Sequence, residues 1–407
     1  MTDASPELAA PSTWVTAAGL AGTSELDLLS GFCERLRQAD VPVTRALILI
    51  DTLHPVHEGR VFRWQTGHAT KIEEYGRMTE DDPHADMWRR SPFHYLDQTG
   101  EPMLRRRLAD GGGPEFPIFE DLRREGQTDY LVCAHRLSGQ DMIGGIECVY
   151  SSWTTDACSG FSDDNIELLS RSLPAFALAA KCASLARIAA TLAETYLGRD
   201  AGQRVLHGGI VRGVADRIDA VIWFSDLCGF TRITDSTDPA LIIPLLNDYD
   251  EAVISSVHEA GGEVLKLIGD GILAIFRAEQ PGDACRRALE AEAQTFQQVD
   301  ALNERRRARN LPVTTAYLGL HVGEVFYGNI GSSARLDFTV VGPAVNEASR
   351  IAAMCRSVER RVLLSPSFAA AALEDDKKRL VSVGRYALRG VAQPQELFTL
   401  EDFRAPI

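Results

Sequence analysis

The chain has 407 residues and a mass of 44.5 kDa, enough for two or three domains that each bury a core. Its 57 acidic and 42 basic residues leave a formal charge of −15, which excludes a general binder of nucleic acid or anionic membrane. The excess is −11 over the first 200 residues and −4 over the rest, so it lies mainly outside the half that carries the recognisable chemistry.

Hydrophobic residues at 45% and charged residues at 24% suit a globular chain and exclude disorder. The longest uncharged stretch, residues 8–24, is interrupted by Pro, Ser, Thr and Gly, so no membrane span is expected. The opening residues lack a basic region followed by an apolar one, which predicts no secretory signal and a cytoplasmic protein. Eight scattered cysteines without a Cys-x-x-Cys pair are expected to stay reduced and to bind no zinc.

In chain order, residues 1–24 read as a flexible tail. A helical pattern follows from Glu25 (Leu28, Leu29, Phe32, Leu36), then strand-like runs at 46–50, 130–134 and 142–150, which together predict an α+β domain over 25–160. Ser162-Asp163-Asp164 opens a helix over 161–197. Leu178, Leu185 and Leu192 recur every seven residues with Ile188 between them, as in a two-helix seam, while Lys181 on that seam fits a helix packed on its own domain equally well. Glycines at 198, 202, 208, 209 and 213 then mark the end of a helical linker over 161–214.

A second domain is expected over 215–403. Residues 220–224 form a buried strand that ends at Asp226, a carboxylate presented at a strand exit. A helix over 239–260 leads to two apolar strands around Gly269-Asp270-Gly271, a hairpin. Lys266 shares a strand face with Val264 and Ile268, an unusual setting for a lysine unless it guards a sheet edge. After a helix over 281–309, whose terminal Arg305, Arg306, Arg307 and Arg309 read as a solvated end, comes a strand at 316–322. Pro343 suits the first position of the next helix, and Asn346 and Arg350, four residues apart, share one face near its positive end. Such a pair could recognise an anion or have no task.

Four motifs give these pieces a shared meaning: Phe224-Ser-Asp-Leu-Cys-Gly-Phe-Thr231, Gly262-Glu-Val-Leu-Lys-Leu-Ile-Gly-Asp-Gly271, Gly319-Leu-His-Val-Gly-Glu-Val-Phe-Tyr-Gly-Asn-Ile-Gly331 and Phe338-Thr-Val-Val-Gly-Pro-Ala-Val-Asn-Glu-Ala-Ser-Arg350. In this order and spacing they resemble the catalytic domain of class III nucleotidyl cyclases, over about half the chain. The resemblance implies a ferredoxin-like βαββαβ core and a homodimer with active sites between protomers. It implies that Asp226 and Asp270 bind two Mg²⁺ or Mn²⁺ ions, a task suited to hard oxygen ligands, while Gly229, Phe230 and Thr231 cradle the terminal phosphates. Lys266 and Thr339 match the base-reading pair. A lysine that donates to adenine N1 and a hydroxyl that accepts from its 6-amino group complement ATP, whereas guanine reverses both edges. Asn346 matches the residue that orients the ribose and Arg350 the one that steadies the transition-state phosphate. Arg389 falls where many members have a phosphate-binding lysine. Pro343 departs from the aspartate often found there and is expected to tune activity only.

The first domain resembles a GAF-type sensor through residues 45–51, Ile143-Gly-Gly-Ile-Glu-Cys-Val-Tyr150 and Phe161-Ser-Asp-Asp-Asn-Ile-Glu-Leu-Leu169. That resemblance implies a small-molecule effector and a helix that couples it to the catalytic domains. His54, His57, His68 and His84 are too irregularly spaced for a metal site. Two other readings stand beside an adenylate cyclase: a catalytically dead nucleotide-binding or dimerisation module, against which the retained aspartates and Asn/Arg pair count, and a guanylate cyclase, against which Lys266 and Thr339 count.

Overall fold

The computed structural model describes residues 10–76, 83–108, 116–137, 143, 148–389 and 393–401, and divides the chain into two units, residues 1–192 and 193–407. In the first unit, α1 (Pro11–Leu20) and α2 (Glu25–Gln38) precede β1 (Arg45–Asp51), β2 (His57–Gln65) and β3 (Lys71–Gly76). Then come α3 (Pro83–Arg89), α4 (Pro92–Thr99), β4 (Met103–Arg107), α5 (Pro117–Arg124), β5 (Asp129–Arg136), β6 (Cys148–Thr155) and α6 (Asp163–Leu197), whose last residues enter the second unit. The strands form an antiparallel sheet in the order β3-β2-β1-β6-β5-β4.

Period-two alternation gives this sheet two apolar faces, and helices cover both. Ile48, Phe62, Leu131 and Trp153 pack with Phe32 of α2 and Phe176 of α6, while Leu104, Val132 and Tyr150 pack with Phe93, Leu96 and Phe119. The α+β expectation for this half therefore holds, with corrections. Residues 11–20 are a helix with Val15 fully buried and not a tail, because Val15 and Ala18 join the core under α2. The strand expected at 142–150 runs instead from Cys148 to Thr155, and residues 144–147 lie outside those described.

Ser162 and Asn165 cap α6 reciprocally, each side chain accepting from the other's backbone N–H at 3.1 Å. Ile188 is buried and Leu185 and Leu192 pack on the same core, so most of the heptad seam is occupied within the unit, while Leu178 is 61% exposed. By length and composition α6 could cross a bilayer, contrary to the sequence expectation of no such helix. Its apolar residues Leu173, Phe176 and Ile188 are instead buried in the unit's core.

The second unit runs α7 (Arg199–Leu206), β7 (Ala215–Leu227), α8 (Phe230–Ser236), α9 (Ile242–Glu259), β8 (Glu263–Ile268), β9 (Gly271–Arg277), α10 (Pro281–Ala308), β10 (Ala316–Gly331), β11 (Leu336–Val341) and α11 (Pro343–Val358). It closes with β12 (Val362–Leu364), α12 (Pro366–Ala371), α13 (Glu374–Lys377), β13 (Leu380–Tyr386) and β14 (Gln395–Leu400). The sheet order β13-β14-β12-β10-β7-β9-β8, with β11 added on β10, contains the four core strands in ferredoxin-like order. The β7-α9-β8-β9-α10-β10 sequence is the expected βαββαβ core.

Three features differ from expectation. The glycine-rich end of the linker contains α7, whose Ala201 and Val205 pack with Ala220 and Tyr327, so it is part of this unit. The strand expected at 316–322 continues to Gly331 because its second half pairs with β11. Arg306, expected on a solvated helix end, is 3% exposed: its Nε donates to Pro312 O at 2.7 Å and it is ion-paired with Asp248.

Candidate active site

The hairpin between β8 and β9 brings the two motif aspartates together. Gly269 sits at φ +66°, a conformation glycine adopts without strain, and a Cβ at Gly271 would lie 2.9 Å from Ser225 O. Both glycines are thus required for the turn to press against the end of β7. Asp270, in that turn, shares a hydrogen bond with Asp226, whose carboxyl is pushed up to about 6 by partial burial, by that bond and by the charge of Asp270. Asp250 on α9 is also pushed up to about 6, by burial and then by Asp270. Sequence reading missed Asp250, since one acidic residue on an amphipathic helix carries no signal.

Two carboxylates in contact repel unless a proton or a cation lies between them. This pair therefore fits a hard divalent ion, with the remaining ligands supplied by substrate oxygens and water. Among the described residues no group of three or more His, Cys, Asp or Glu side chains has the spacing of a metal cage.

The phosphate-cradle expectation needs one refinement. Gly229 is left-handed (φ +68°) and opens α8, leaving Gly229 exposed, while the Cys228 N–H is already committed to Thr315 O at 2.7 Å. Gly229, Phe230 and Thr231 remain at the turn beside Asp226.

Lys266 lies exposed on β8, the edge strand of this sheet, as the edge-lysine reading expected. Its ammonium is ion-paired with Asp337 on β11, two residues before Thr339 on the same period-two face. Thr339 itself is 8% exposed. Asp337 lies one residue before the last motif, and a lone carboxylate on a strand carries no local signal of its partner.

α11 approaches β10 closely: Cβ atoms at Gly319 and Gly323 would lie 2.5 Å from Ala348 O and 2.7 Å from Ala344 Cβ. Asn346 is exposed and Arg350 half-buried, with no ion pair to Arg350 among the described residues. Buried His321 holds the first turns of this helix, 3.6 Å from Glu347 and 3.3 Å from the Ser367 hydroxyl. Burial lowers the His321 pKa below its ordinary value, the nearby Glu347 only partly opposing it. Arg389 is exposed in a turn whose next three residues lie outside those described.

Residues 214–402 match the family model described as "Adenylate and Guanylate cyclase catalytic domain". An uncharacterised protein of Mycobacterium tuberculosis is 33% identical over 189 residues, 46% of this chain and 32% of that protein. An adenylate cyclase of Anabaena cylindrica is 34% identical over 159 residues, 38% of this chain and 31% of that protein. Among solved structures, the adenylyl cyclase CyaB from P. aeruginosa is 23% identical (TM-score 0.43, covering 47% of this chain and 97% of that one). The guanylyl cyclase Cya2 is 27% identical (TM-score 0.41, covering 47% and 98%). The matched segment spans about a third of the length of the curated relatives. Within the second unit, residues 214–402 therefore match the catalytic domain of adenylate and guanylate cyclases.

Proposed function

We propose that the chain is a cytoplasmic adenylate cyclase that converts ATP to 3′,5′-cyclic AMP and pyrophosphate at sites shared by two copies, under control of its first unit. The observation that carries the reading is the contact between Asp226, at the end of β7, and Asp270, in the turn after the strand that holds Lys266.

Cyclisation forms a bond between the ribose 3′ oxygen and the α-phosphorus, breaks the bond from that phosphorus to the bridging oxygen of pyrophosphate, and releases the hydroxyl proton. Two Mg²⁺ or Mn²⁺ ions, when bound, neutralise the charge that gathers on the nucleophile and leaving group. Asp226 and Asp270 hold them. Gly229, Phe230 and Thr231 orient the terminal phosphates, with Arg389 as a further cation. Asn346 positions the ribose, and Arg350 donates to the phosphoryl oxygens as charge develops. Lys266 donates to adenine N1, and Thr339 with Asp337 accepts from the 6-amino group.

A shared site accounts for exposed apolar side chains on the strands of this unit. Leu267 and Ile268, between Lys266 and Asp270, are 53% and 46% exposed, and Phe326 and Val341 are 48% and 43% exposed. Exposed apolar groups on β8, β10 and β11, the strands around Lys266 and Thr339, suit a second copy. For control, the first unit offers a cavity of about 450 Å³ between its sheet and α3, α4 and α5, lined by Arg45, Arg63, Lys71, Phe93 and Tyr130, where a small effector would sit. At the other end of the linker, a Cβ at Gly198 would lie 2.7 Å from Val264 O on the strand of Lys266. Asp200 of α7 accepts from Arg277 at 2.7 Å and Tyr327 at 2.8 Å, tying α7 to the catalytic sheet.

Purified protein incubated with Mn²⁺ and either ATP or GTP tests the reading. Cyclic AMP from ATP is expected; cyclic GMP alone would make the protein a guanylate cyclase, and no product from either would leave a nucleotide-binding or dimerisation module.

A further inference from the structure

The second unit holds a cavity of about 380 Å³ between α10, the entrance to β12 and the strands β13 and β14, built from none of the residues assigned above. Three guanidinium groups line it, those of Arg360, Arg361 and Arg379, against the single carboxylate of Glu292 among its described lining residues. For a chain with a formal charge of −15, that is a local inversion of sign.

Arg361 is the most constrained of the three. It is 8% exposed, its guanidinium lies 4.9 Å over the ring of Phe296 in the same wall, and its Nε–H is buried without a hydrogen-bond partner. Its Nη1 and Nη2 stand 3.4 and 3.5 Å from Asp300 Oδ1. Well-made charge-assisted bonds measure about 2.7–2.9 Å, so this counter-ion is loosely held. Arginine cannot lose its proton to escape burial, and a buried charge with an imperfect partner is costly. Arg379, exposed at the mouth, forms no ion pair among the described residues.

We propose that this cavity is an anion site, distinct from the triphosphate pocket, that takes a small phosphate- or carboxylate-bearing molecule. Arg361 and Arg379 grip the anionic group, and Phe296, Val362 and Leu400 receive the remainder. The Arg361 carbonyl accepts from Leu318 N at 2.8 Å, and the preceding Tyr317 pairs with Asp226 on β7. An occupant is therefore linked through the sheet to the strand that carries the metal carboxylate. The proposal does not rest on the choice of ATP or GTP.

The full-length protein is titrated, without metal, with inorganic phosphate and separately with citrate at constant ionic strength, against a chloride control, while its melting temperature is followed. A saturable rise with phosphate, citrate or both is expected, and the pattern identifies the anionic group. Arg379→Gln and Arg361→Lys should each weaken it at least tenfold, and Arg389→Gln, which removes the cation assigned to the triphosphate, should leave it unchanged. Exposed Arg379 can be replaced without disturbing the core, and the ligand-free melting temperature verifies this. No rise beyond the chloride control, a rise that survives both the Arg361 and Arg379 substitutions, or one lost in Arg389→Gln overturns the proposal.

Discussion

The two units treat acidic groups in opposite ways. In the first, Asp129 is fully buried yet accepts from Arg105 Nη2 at 2.7 Å and from the backbone N–H groups of Phe161 and Tyr130 at 3.0 Å. Glu25, 2% exposed, likewise faces Arg187 at 3.1 Å and Arg60 at 3.8 Å. In the second unit, Asp226 is pressed against Asp270, and Asp250 feels the same charge. Opposite charges brought together hold a fold; like charges brought together store a demand for a ligand. A carboxylate's neighbours thus distinguish its task.

The largest effect that would sharpen this contrast is on turnover. Asp270→Ala should cut cyclase activity by at least ~100-fold, since it removes one of the two carboxylates that would hold the charge-neutralising metal ions. The melting temperature of the metal-free protein should stay level or rise as repulsion is relieved. A fall in stability like that of a structural carboxylate would break the comparison. Asp129→Ala should do the reverse for the fold, leaving Arg105 without its counter-ion at a cost of about 3–5 kcal/mol, read by chemical denaturation of the first unit's transition.

A smaller effect concerns the base. A threonine hydroxyl can donate as well as accept, whereas the Asp337 carboxylate can only accept. Asp337→Asn should therefore lower the ATP-over-GTP ratio of kcat/KM about tenfold, or ~1.4 kcal/mol; an unchanged ratio would show that Asp337 only holds Lys266. The smallest effect is on pH. His321 is kept neutral by burial, so its folded pKa lies below the ordinary 6.5. As pH falls below 6.5 the unfolded chain binds this proton first, and stability is lost until the folded pKa is reached. Denaturation curves at pH 7 and pH 5 should show a larger loss for the natural protein than for His321→Asn.

Much of the core was legible because strands and hairpins announce themselves locally. The alternation in 45–51, the cap at Ser162 and the Gly269-Asp270-Gly271 turn each appear where residue chemistry places them. What was not legible has a common cause. Val15 reads as tail until α2 lies beside it, and Arg306 reads as a solvated end until residues 310–314 fold over it. The linker glycines read as breakers until Ala201 finds Tyr327.

The sequence by itself determined the order of the catalytic motifs, the residue types they offer and the βαββαβ succession, because these depend on neighbours a few positions apart. Only the tertiary structure decided that Asp226 meets Asp270, that Lys266 is held by Asp337, that Asp250 faces the same charge and that three arginines line one cavity. Those encounters join residues tens of positions apart, and their energy comes from charge and burial at distances that no local pattern encodes.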